Sequence, residues 1–148
     1  AIPIIGPLFA YTFALPTGML MIDKGARGAF LPQTIPDNYV RDTSLKLLLR
    51  PREFLANARD MVTLKAAVTE QMLRYGEIKA PTVVIHGDAD TTVYLDVHAR
   101  QFVQAVPHAS LIVVPGVGHV IQNAAAETII AAIETVMPPV AGTATAAR

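Results

Sequence analysis

Two short apolar runs, each bounded by proline or glycine, constrain the fold of this chain more than any other feature. The first is Thr-Val-Val-Ile at residues 82–85, and the second is Leu-Ile-Val-Val at residues 111–114. Short runs rich in β-branched residues predict buried strands. Because the runs are continuously apolar rather than alternating, they favour parallel strands in a sheet that helices cover on both faces.

The segments that follow the two runs have the apolar spacing of helices. Pro107 ends the first of these patterns and Pro138 ends the second. The apolar positions are Leu95, Ala99, Phe102, Val103 and Val106 in the first pattern, and Ala125, Ile129, Ala132, Ile133 and Val136 in the second. The sequence therefore predicts an α/β fold in which a β-α-β unit is followed by a further helix.

A motif that carries an acidic residue or a histidine follows each predicted strand. His-Gly-Asp-Ala-Asp occupies residues 86–90, and Pro-Gly-Val-Gly-His occupies residues 115–119. Ligands of parallel sheets bind beyond the carboxyl ends of the strands. We therefore expect Asp90 and His119 to meet at one edge of the sheet.

Taken together, these motifs resemble the C-terminal part of the α/β-hydrolase superfamily, over residues 79 to 137. The resemblance implies that Asp90 is the acid of a Ser-His-Asp triad and that His119 is its histidine. The order of acid before histidine is similar to that of the family, whose nucleophile precedes both. Asp88 is an alternative acid, although the Gly-x-x-Asp spacing from Gly87 favours Asp90.

The chemistry of a hydrolase explains why these residue types are needed. Histidine, whose ordinary pKa is about 6.5, can take a proton from a nucleophile and return it to a leaving group. A carboxylate at Asp90 would fix the tautomer of His119 and stabilise the imidazolium, and the glycines beside His119 permit tight turns. The alternative is structural, with Asp90 a turn residue and His119 a loop residue.

The nucleophile of such a triad is missing from these 148 residues. No Gly-x-Ser-x-Gly is present, and there is no cysteine. The only serines are Ser44, in a predicted helical stretch, and Ser110, at the start of the second strand; neither is expected to act as the nucleophile. The family's oxyanion hole also lies near the nucleophile. We therefore expect a fragment, a cleavage product or one half of a hydrolase that is inactive alone.

Residues 1–77 are predicted to form a helical cap or lid, residues 78–137 the C-terminal part of the catalytic domain, and residues 138–148 a flexible tail. A long helix is predicted from Pro51 to Gly76, and a shorter one after Asp37 as its N-cap. The apolar face of the long helix comprises Phe54, Leu55, Ala58, Met61, Val62, Val68 and Met72. Residues 35–39 and 48–51 resemble the caps of esterase-like and lipase-like members.

Residues 1–22 contain no charged residue. Pro3, Pro7 and Pro16 argue against an unbroken membrane span, and no basic segment precedes the apolar stretch as in a secretory signal. We expect this segment to be a cap buried against the catalytic domain of a cytoplasmic protein; attachment to a membrane surface and disorder are the alternatives. An apolar lid favours a small ester-like substrate with an apolar group.

The remaining composition excludes several classes of protein. Lys plus Arg number 12 and Asp plus Glu number 12, so no charge excess favours nucleic acid as a partner. His98 and His108 are expected at the surface, and no residue spacing suggests a metal or another cofactor. His86 lies beside the predicted site, where a structural role is favoured over a functional one.

Two hypotheses of different classes remain. In the first, the chain is part of a serine hydrolase that cleaves carboxylic esters, and its missing N-terminal half or a second copy completes the sheet. Within this class, an aspartate nucleophile would give a dehalogenase or an epoxide hydrolase. In the second, the chain is a non-catalytic assembly module that oligomerises through the edge of its sheet.

Overall fold

In this computed structural model the described residues are 5–137, so the predicted tail at residues 138–148 lies outside them. The N-terminal part is helical, with α1 (Ile5–Phe9), a π-helical turn (Ala10–Ala14), α2 (Leu15–Phe30), α3 (Tyr39–Asp42), a 3₁₀ turn (Leu45–Leu49), α4 (Pro51–Met72) and a second 3₁₀ turn (Tyr75–Glu77). The C-terminal part contains β1 (Val83–Gly87), α5 (Ala99–Ala105), β2 (Ser110–Val114), α6 (Ile121–Ala124) and α7 (Ala126–Val136).

The two strands form a parallel sheet, as the sequence predicts. Val83 lies opposite Ser110 at one end of the sheet, and Gly87 lies opposite Val114 at the other. Helix α5 contacts both strands, and α7 contacts β1. The described chain is therefore a mixed α/β structure in which helices flank a β-α-β unit.

The described residues have a small core. Val106, directly after α5, is fully buried. The other buried apolar residues are Ala10, Leu15, Ala26, Phe30, Val40, Ala99, Val117, Ala125 and Ala132. Half of the ten are alanines, which remove little apolar surface from water.

Helix α1, the π-helical turn and α2 follow one another directly from Ile5 to Phe30. The N–H of Leu15 donates to the carbonyl of Ala10, five residues earlier. Pro16 then lies in the first turn of α2, directly after the π-helical turn. Within residues 5–137, no helix has the length and apolar character needed to cross a bilayer.

The burial predicted for residues 1–22 is not present within the described part of the chain. Phe9 and Phe13 are more than half exposed, and Leu20 is 86% exposed. Ala10 and Leu15 are the buried residues of this segment among those described. Apolar side chains that were expected to pack against a catalytic domain therefore face solvent.

The prediction of Asp37 as a helix N-cap is wrong. Helix α3 begins at Tyr39, and the cap position falls on Asn38, which has a left-handed φ of 59°. Asn adopts this conformation more readily than most residues. Ser44 is also left-handed, with a φ of 54°, and separates α3 from the 3₁₀ turn, so the helical stretch predicted around Ser44 is interrupted.

Helix α4 begins at Pro51, as predicted, because proline is compatible with the first turn of a helix. It ends at Met72, before the predicted Gly76, and the second 3₁₀ turn follows. None of its residues is buried, and Val62 on the predicted apolar face is 84% exposed. The predicted helix is present, but only the start of its apolar face is covered in the described chain: Phe54 and Leu55 are half-buried, where α4 contacts the π-helical turn and the first 3₁₀ turn.

Candidate active site

The parallel sheet brings the two sequence-predicted residues together. Asp90 follows the carboxyl end of β1, and His119 follows the carboxyl end of β2. Because the strands are parallel and adjacent, these ends lie at the same edge of the sheet. The Nδ1 atom of His119 lies 2.9 Å from Oδ2 of Asp90.

Local backbone geometry holds the Asp90 carboxylate. Its Oδ1 atom accepts hydrogen bonds from the backbone N–H groups of Thr92, at 2.7 Å, and Val93, at 3.0 Å. This is an Asx-turn, in which an aspartate side chain accepts hydrogen bonds from the backbone of the residues that follow it. The Asp90 side chain is 6% exposed, whereas that of His119 is 40% exposed. The acid is therefore fixed and sheltered, while the imidazole remains accessible.

The environment of Asp90 keeps its carboxyl group ionised. Burial by itself raises the pKa of this group, but hydrogen bonds from the Val93 N–H, the His119 ring and the Thr92 N–H outweigh burial. The attraction of a protonated His119 adds to the same effect, so the pKa of Asp90 lies below its ordinary value. At neutral pH Asp90 is an anionic acceptor.

An anionic Asp90 determines which nitrogen of His119 carries the proton. Since the carboxylate can only accept, Nδ1 of neutral His119 must donate its hydrogen to Oδ2 of Asp90. The other nitrogen, Nε2, then has a free lone pair. Nε2 has no hydrogen-bond partner within residues 5–137. This arrangement gives a general base whose tautomer is fixed by a buried acid.

Asp88, the alternative acid, contacts the loop at residues 115–119, here called the histidine loop, rather than the imidazole of His119. Its Oδ1 atom accepts a hydrogen bond from the Gly116 N–H at 2.6 Å. The Asp88 N–H donates to the carbonyl of Val114, at the end of β2. The side chain of Asp88 therefore stabilises the turn that precedes His119, and Asp90 holds the imidazole.

His86 lies behind the Asp90–His119 pair. Its Nδ1 atom lies 2.8 Å from the carbonyl oxygen of Gly87, so Nδ1 donates to that oxygen. Its Nε2 atom is buried without a hydrogen-bond partner in the described part of the chain. Nε2 lies 4.0 Å from Oδ2 of Asp90. Since neither ring nitrogen is accessible to a substrate, His86 is placed to line the site rather than to act as its base.

Glycine is required at three positions around His119, for two different structural reasons. Gly116 has a left-handed φ of 69°, which disfavours most side chains. Gly87 and Gly118 are needed instead for close approach. A Cβ at Gly87 would overlap the carbonyl oxygen of Val117, and a Cβ at Gly118 would overlap that of Leu31. The turn interpretation is therefore correct for Gly116 and incomplete for Gly118.

Sequence reasoning missed Gln33, which contacts the histidine loop. Its Nε2 atom donates to the Gly116 carbonyl at 2.7 Å, and its Oε1 atom accepts from the Gly118 N–H at 2.9 Å. Gln33 is 83 positions from Gly116 along the chain. No local pattern predicts a contact at this separation, so the sequence contained no usable signal.

A cavity of about 190 Å³ lies at the Asp90–His119 pair. Its walls are Ile85, His86, Gly87, Asp90, Val93, Gly118, His119 and Ile121. Neither serine of the chain belongs to it. Ser44 lines a separate cavity of about 780 Å³ beside α2 and α3, and Ser110 begins β2 at the opposite end of the strand from His119.

The site contains no arrangement suited to a metal ion. Among the described residues, no group of three His, Cys, Asp or Glu side chains lies close enough to hold one. His98 and His108 are exposed, as predicted. The Nε2 atom of His108 forms a hydrogen bond with the carbonyl oxygen of Ala80. The chemistry available at the site is therefore proton transfer by a histidine and a carboxylate.

A scan against protein-family models and a search of curated proteins found no match to this chain. A function for this chain is consequently inferred from the residues of the site and their geometry.

Proposed function

We propose that this chain contributes the acid and base of a serine hydrolase of the α/β-hydrolase superfamily that cleaves carboxylic esters. The observation that carries the proposal is the 2.9 Å contact between Nδ1 of His119 and Oδ2 of Asp90. The sheltered carboxylate and the accessible imidazole support these roles. In this proposal residues 1–77 are the cap and residues 78–137 belong to the catalytic domain.

The reaction would proceed by acyl transfer. Nε2 of His119 takes the proton of a serine hydroxyl while the serine oxygen bonds to the ester carbonyl carbon. The resulting imidazolium donates that proton to the departing alkoxide as the ester C–O bond breaks. A water molecule then repeats the sequence on the acyl-enzyme, releasing the acid and regenerating the serine. Asp90 stabilises the imidazolium at each stage and stays ionised.

The walls of the cavity support an ester with an apolar group. Ile85, Val93 and Ile121 contribute apolar surface next to the polar pair. Apolar walls with a few placed polar groups are typical of small-molecule sites. We therefore propose a small ester whose acyl or alkyl group packs against these side chains.

The serine and the oxyanion hole would come from a polypeptide segment outside these 148 residues. We propose that this segment packs against the apolar surfaces that are exposed in the described chain. Leu20, Val62 and Leu73 are each more than 80% exposed. The sheet has two strands in the described region, with an unpaired edge on each, and such edges readily pair with another strand. The N-terminal half of a hydrolase, or a second copy of this chain, would complete the sheet.

The same surfaces favour a second candidate, a non-catalytic assembly module. In that case the open strand edges and apolar helix faces would join copies of the chain, and the Asp90–His119 pair would be a relic. An aspartate nucleophile, as in dehalogenases and epoxide hydrolases, is a third candidate that keeps both residues in their catalytic roles.

Hydrolysis by the product of the complete reading frame tests these candidates. The substrates are p-nitrophenyl acetate, butyrate and octanoate, with a haloalkane and an epoxide measured in parallel. The variants are His119→Ala and the matched control His98→Ala, which removes an exposed histidine. We expect ester turnover that falls by at least about 10³-fold in His119→Ala and is unchanged in His98→Ala.

Each other outcome favours a different candidate. Cleavage of the haloalkane or the epoxide instead of the esters would indicate the aspartate nucleophile. A stable oligomer without any turnover, unaffected by His119→Ala, would indicate the assembly module. Ester turnover that is equal in the wild type and in His119→Ala would contradict the proposed role of His119.

A further inference from the structure

We infer that Gln33 is a positioning residue, which holds the loop before His119 so that the imidazole meets Asp90. The inference deepens the proposed function and rests on it for its catalytic consequence. It concerns a residue of the predicted cap that lies outside both catalytic motifs. The structural part of the inference is testable without turnover.

The side chain of Gln33 makes two hydrogen bonds to the loop before His119. The Gln33 amide donates to the Gly116 carbonyl at 2.7 Å and accepts from the Gly118 N–H at 2.9 Å. A primary amide can both donate and accept within one planar group. Gln33 therefore bonds to the loop on both sides of Val117.

Together with the turn after β1, Gln33 satisfies four backbone groups of the loop. The Gly116 N–H donates to Asp88 Oδ1, and the Val117 carbonyl accepts from the Ala89 N–H at 3.0 Å. Gln33 satisfies the other two of these four, the Gly116 carbonyl and the Gly118 N–H. Buried backbone groups without partners are costly, and Gly118 is buried whereas Gly116 is exposed. Loss of the Gln33 amide would leave half of these groups without their partners.

Steric contacts on both sides show how closely the loop is held. Gly118 lies against Leu31 and Pro32, where a Cβ would overlap the Leu31 carbonyl. On the other side, a Cβ at Gly87 would overlap the Val117 carbonyl. The loop is thus confined between residues 31–33 and the end of β1. Within this packing, Gln33 supplies the directional bonds.

The effect on His119 follows from its place in the chain. His119 comes directly after Gly118, so a shift of the Gly118 amide moves the imidazole. The Asp90 carboxylate is held within its own turn by the Thr92 and Val93 N–H groups, whereas Gln33 bonds only to the loop before His119. Gln33 therefore acts together with Asp88 and Ala89 to set the distance between His119 and Asp90, and a displacement of about 1 Å can cost about 10²-fold in rate.

The test is nuclear magnetic resonance of this chain in wild-type, Gln33→Ala, Gln33→Glu and Gln101→Ala forms. Gln101 lies on α5 with an exposed side chain, so Gln101→Ala is the matched control. Glutamate keeps the acceptor for Gly118 but lacks the donor for Gly116. The measurements are amide exchange at Gly118, the tautomer and Nδ1–H resonance of His119, and the melting temperature.

We expect slow exchange of the Gly118 amide in the wild type and in Gln101→Ala, and exchange at least about 10-fold faster in Gln33→Ala. The His119 Nδ1–H resonance is expected to weaken or disappear in Gln33→Ala and to be intermediate in Gln33→Glu. In the complete protein, Gln33→Ala should lower kcat with little change in KM. A merely structural role would lower the melting temperature and leave the His119 signals unchanged.

Fast exchange of the wild-type Gly118 amide would overturn the inference, and this result requires no variant to fold. An unchanged His119 tautomer and Nδ1–H resonance in folded Gln33→Ala would also overturn it. If Gln33→Ala disturbs the His119 signals but the complete protein cleaves no ester, the positioning role stands and the proposed function fails. If ester turnover needs His119 but not Gln33, the proposed function stands and the positioning role fails.

Discussion

At the residue scale, the central feature is one carboxylate with three hydrogen-bond donors. Thr92 and Val93 occupy Oδ1 of Asp90, which leaves Oδ2 for His119. The Oδ1 atom therefore fixes the Asp90 side chain, and the Oδ2 atom fixes the imidazole of His119. The reactive nitrogen of His119 is free because the other nitrogen is held.

We predict that Asp90→Asn changes the tautomer of His119. The amide oxygen of asparagine would keep the bonds from Thr92 and Val93, so its NH₂ group would donate to Nδ1 of His119. Nε2 would then carry the hydrogen and could not act as a base. Nitrogen chemical shifts of the ring should show this change, and turnover by the complete protein should fall on the order of 10⁴-fold. An unchanged tautomer would contradict the assigned geometry.

The lowered pKa of Asp90 also predicts how stability depends on pH. Unfolding returns the group to its ordinary pKa of about 3.9. The ionised group therefore adds stability that is fully present above this value and is lost as the pH falls through the lower folded pKa. Denaturant unfolding should show that the stability difference between wild type and Asp90→Asn shrinks from about pH 5 to about pH 2.

Asp96→Asn is the control for this pH dependence. Asp96 is exposed and pairs with Arg100 at the surface, where ion pairs contribute little to stability. Its replacement should leave the acid-induced loss of stability nearly unchanged. A wild-type minus Asp90→Asn difference that stays constant with pH would contradict the role given to the Asp90 carboxylate.

Asp90 and His119 could be predicted from the sequence because each lies in a short motif directly after a recognisable strand. The roles of Asp88 and Gln33 could not be predicted in this way. The Asp88 contact crosses 28 positions and the Gln33 contacts cross 83 and 85. Such hydrogen bonds depend on how segments that are distant in the sequence pack together, and local residue spacing does not predict this packing.

At the scale of elements, the β-α-β unit could be predicted because strand and helix periodicities are local properties. The helix boundaries were less predictable. Asn38, directly before α3, and Ser44, shortly after it, adopt left-handed conformations that bound this helix on its two sides. The exposure of α4 could not be predicted either, since periodicity identifies an apolar face without identifying what covers it.

The histidine loop, as an element, should tolerate no side chain at Gly118. We predict that Gly118→Ala destabilises the chain by roughly 1–3 kcal/mol, because the added Cβ would overlap the Leu31 carbonyl. Gly25→Ala in α2 is the matched control, since a Cβ there meets nothing within 4 Å. It should stabilise by about 0.5–1 kcal/mol through helix propensity. Equal effects in thermal unfolding would contradict the close packing of residues 31 and 118.

At the scale of the whole molecule, a small core coexists with extensive exposed apolar surface. Helices α2 and α4 present Leu20 and Val62 to solvent, and large exposed apolar patches commonly mark interaction sites. Such a surface adds little to the stability of the chain itself. In the proposed function it would contact the segment that carries the nucleophile.

We predict that Leu20→Glu changes the stability of this chain by no more than about 0.5 kcal/mol, since the side chain is 86% exposed. The same change should weaken binding of this chain to a separately produced segment that carries the nucleophile, measured by sedimentation of the two together. Lys24→Glu on the same helix is the control, because it also alters charge but removes no large apolar side chain. Normal assembly of Leu20→Glu would contradict this role for the exposed face.

The most direct test of the central claim is a fluorophosphonate adduct, identified by mass spectrometry on the product of the complete reading frame. Such probes bond to a serine that a neighbouring base activates. The account predicts one adduct, on a serine outside these 148 residues, formed at equal rates in the wild type and His98→Ala and at least about 10³-fold more slowly in His119→Ala. No adduct, or equally fast labelling of His119→Ala, would contradict the claim that Asp90 and His119 serve a serine nucleophile.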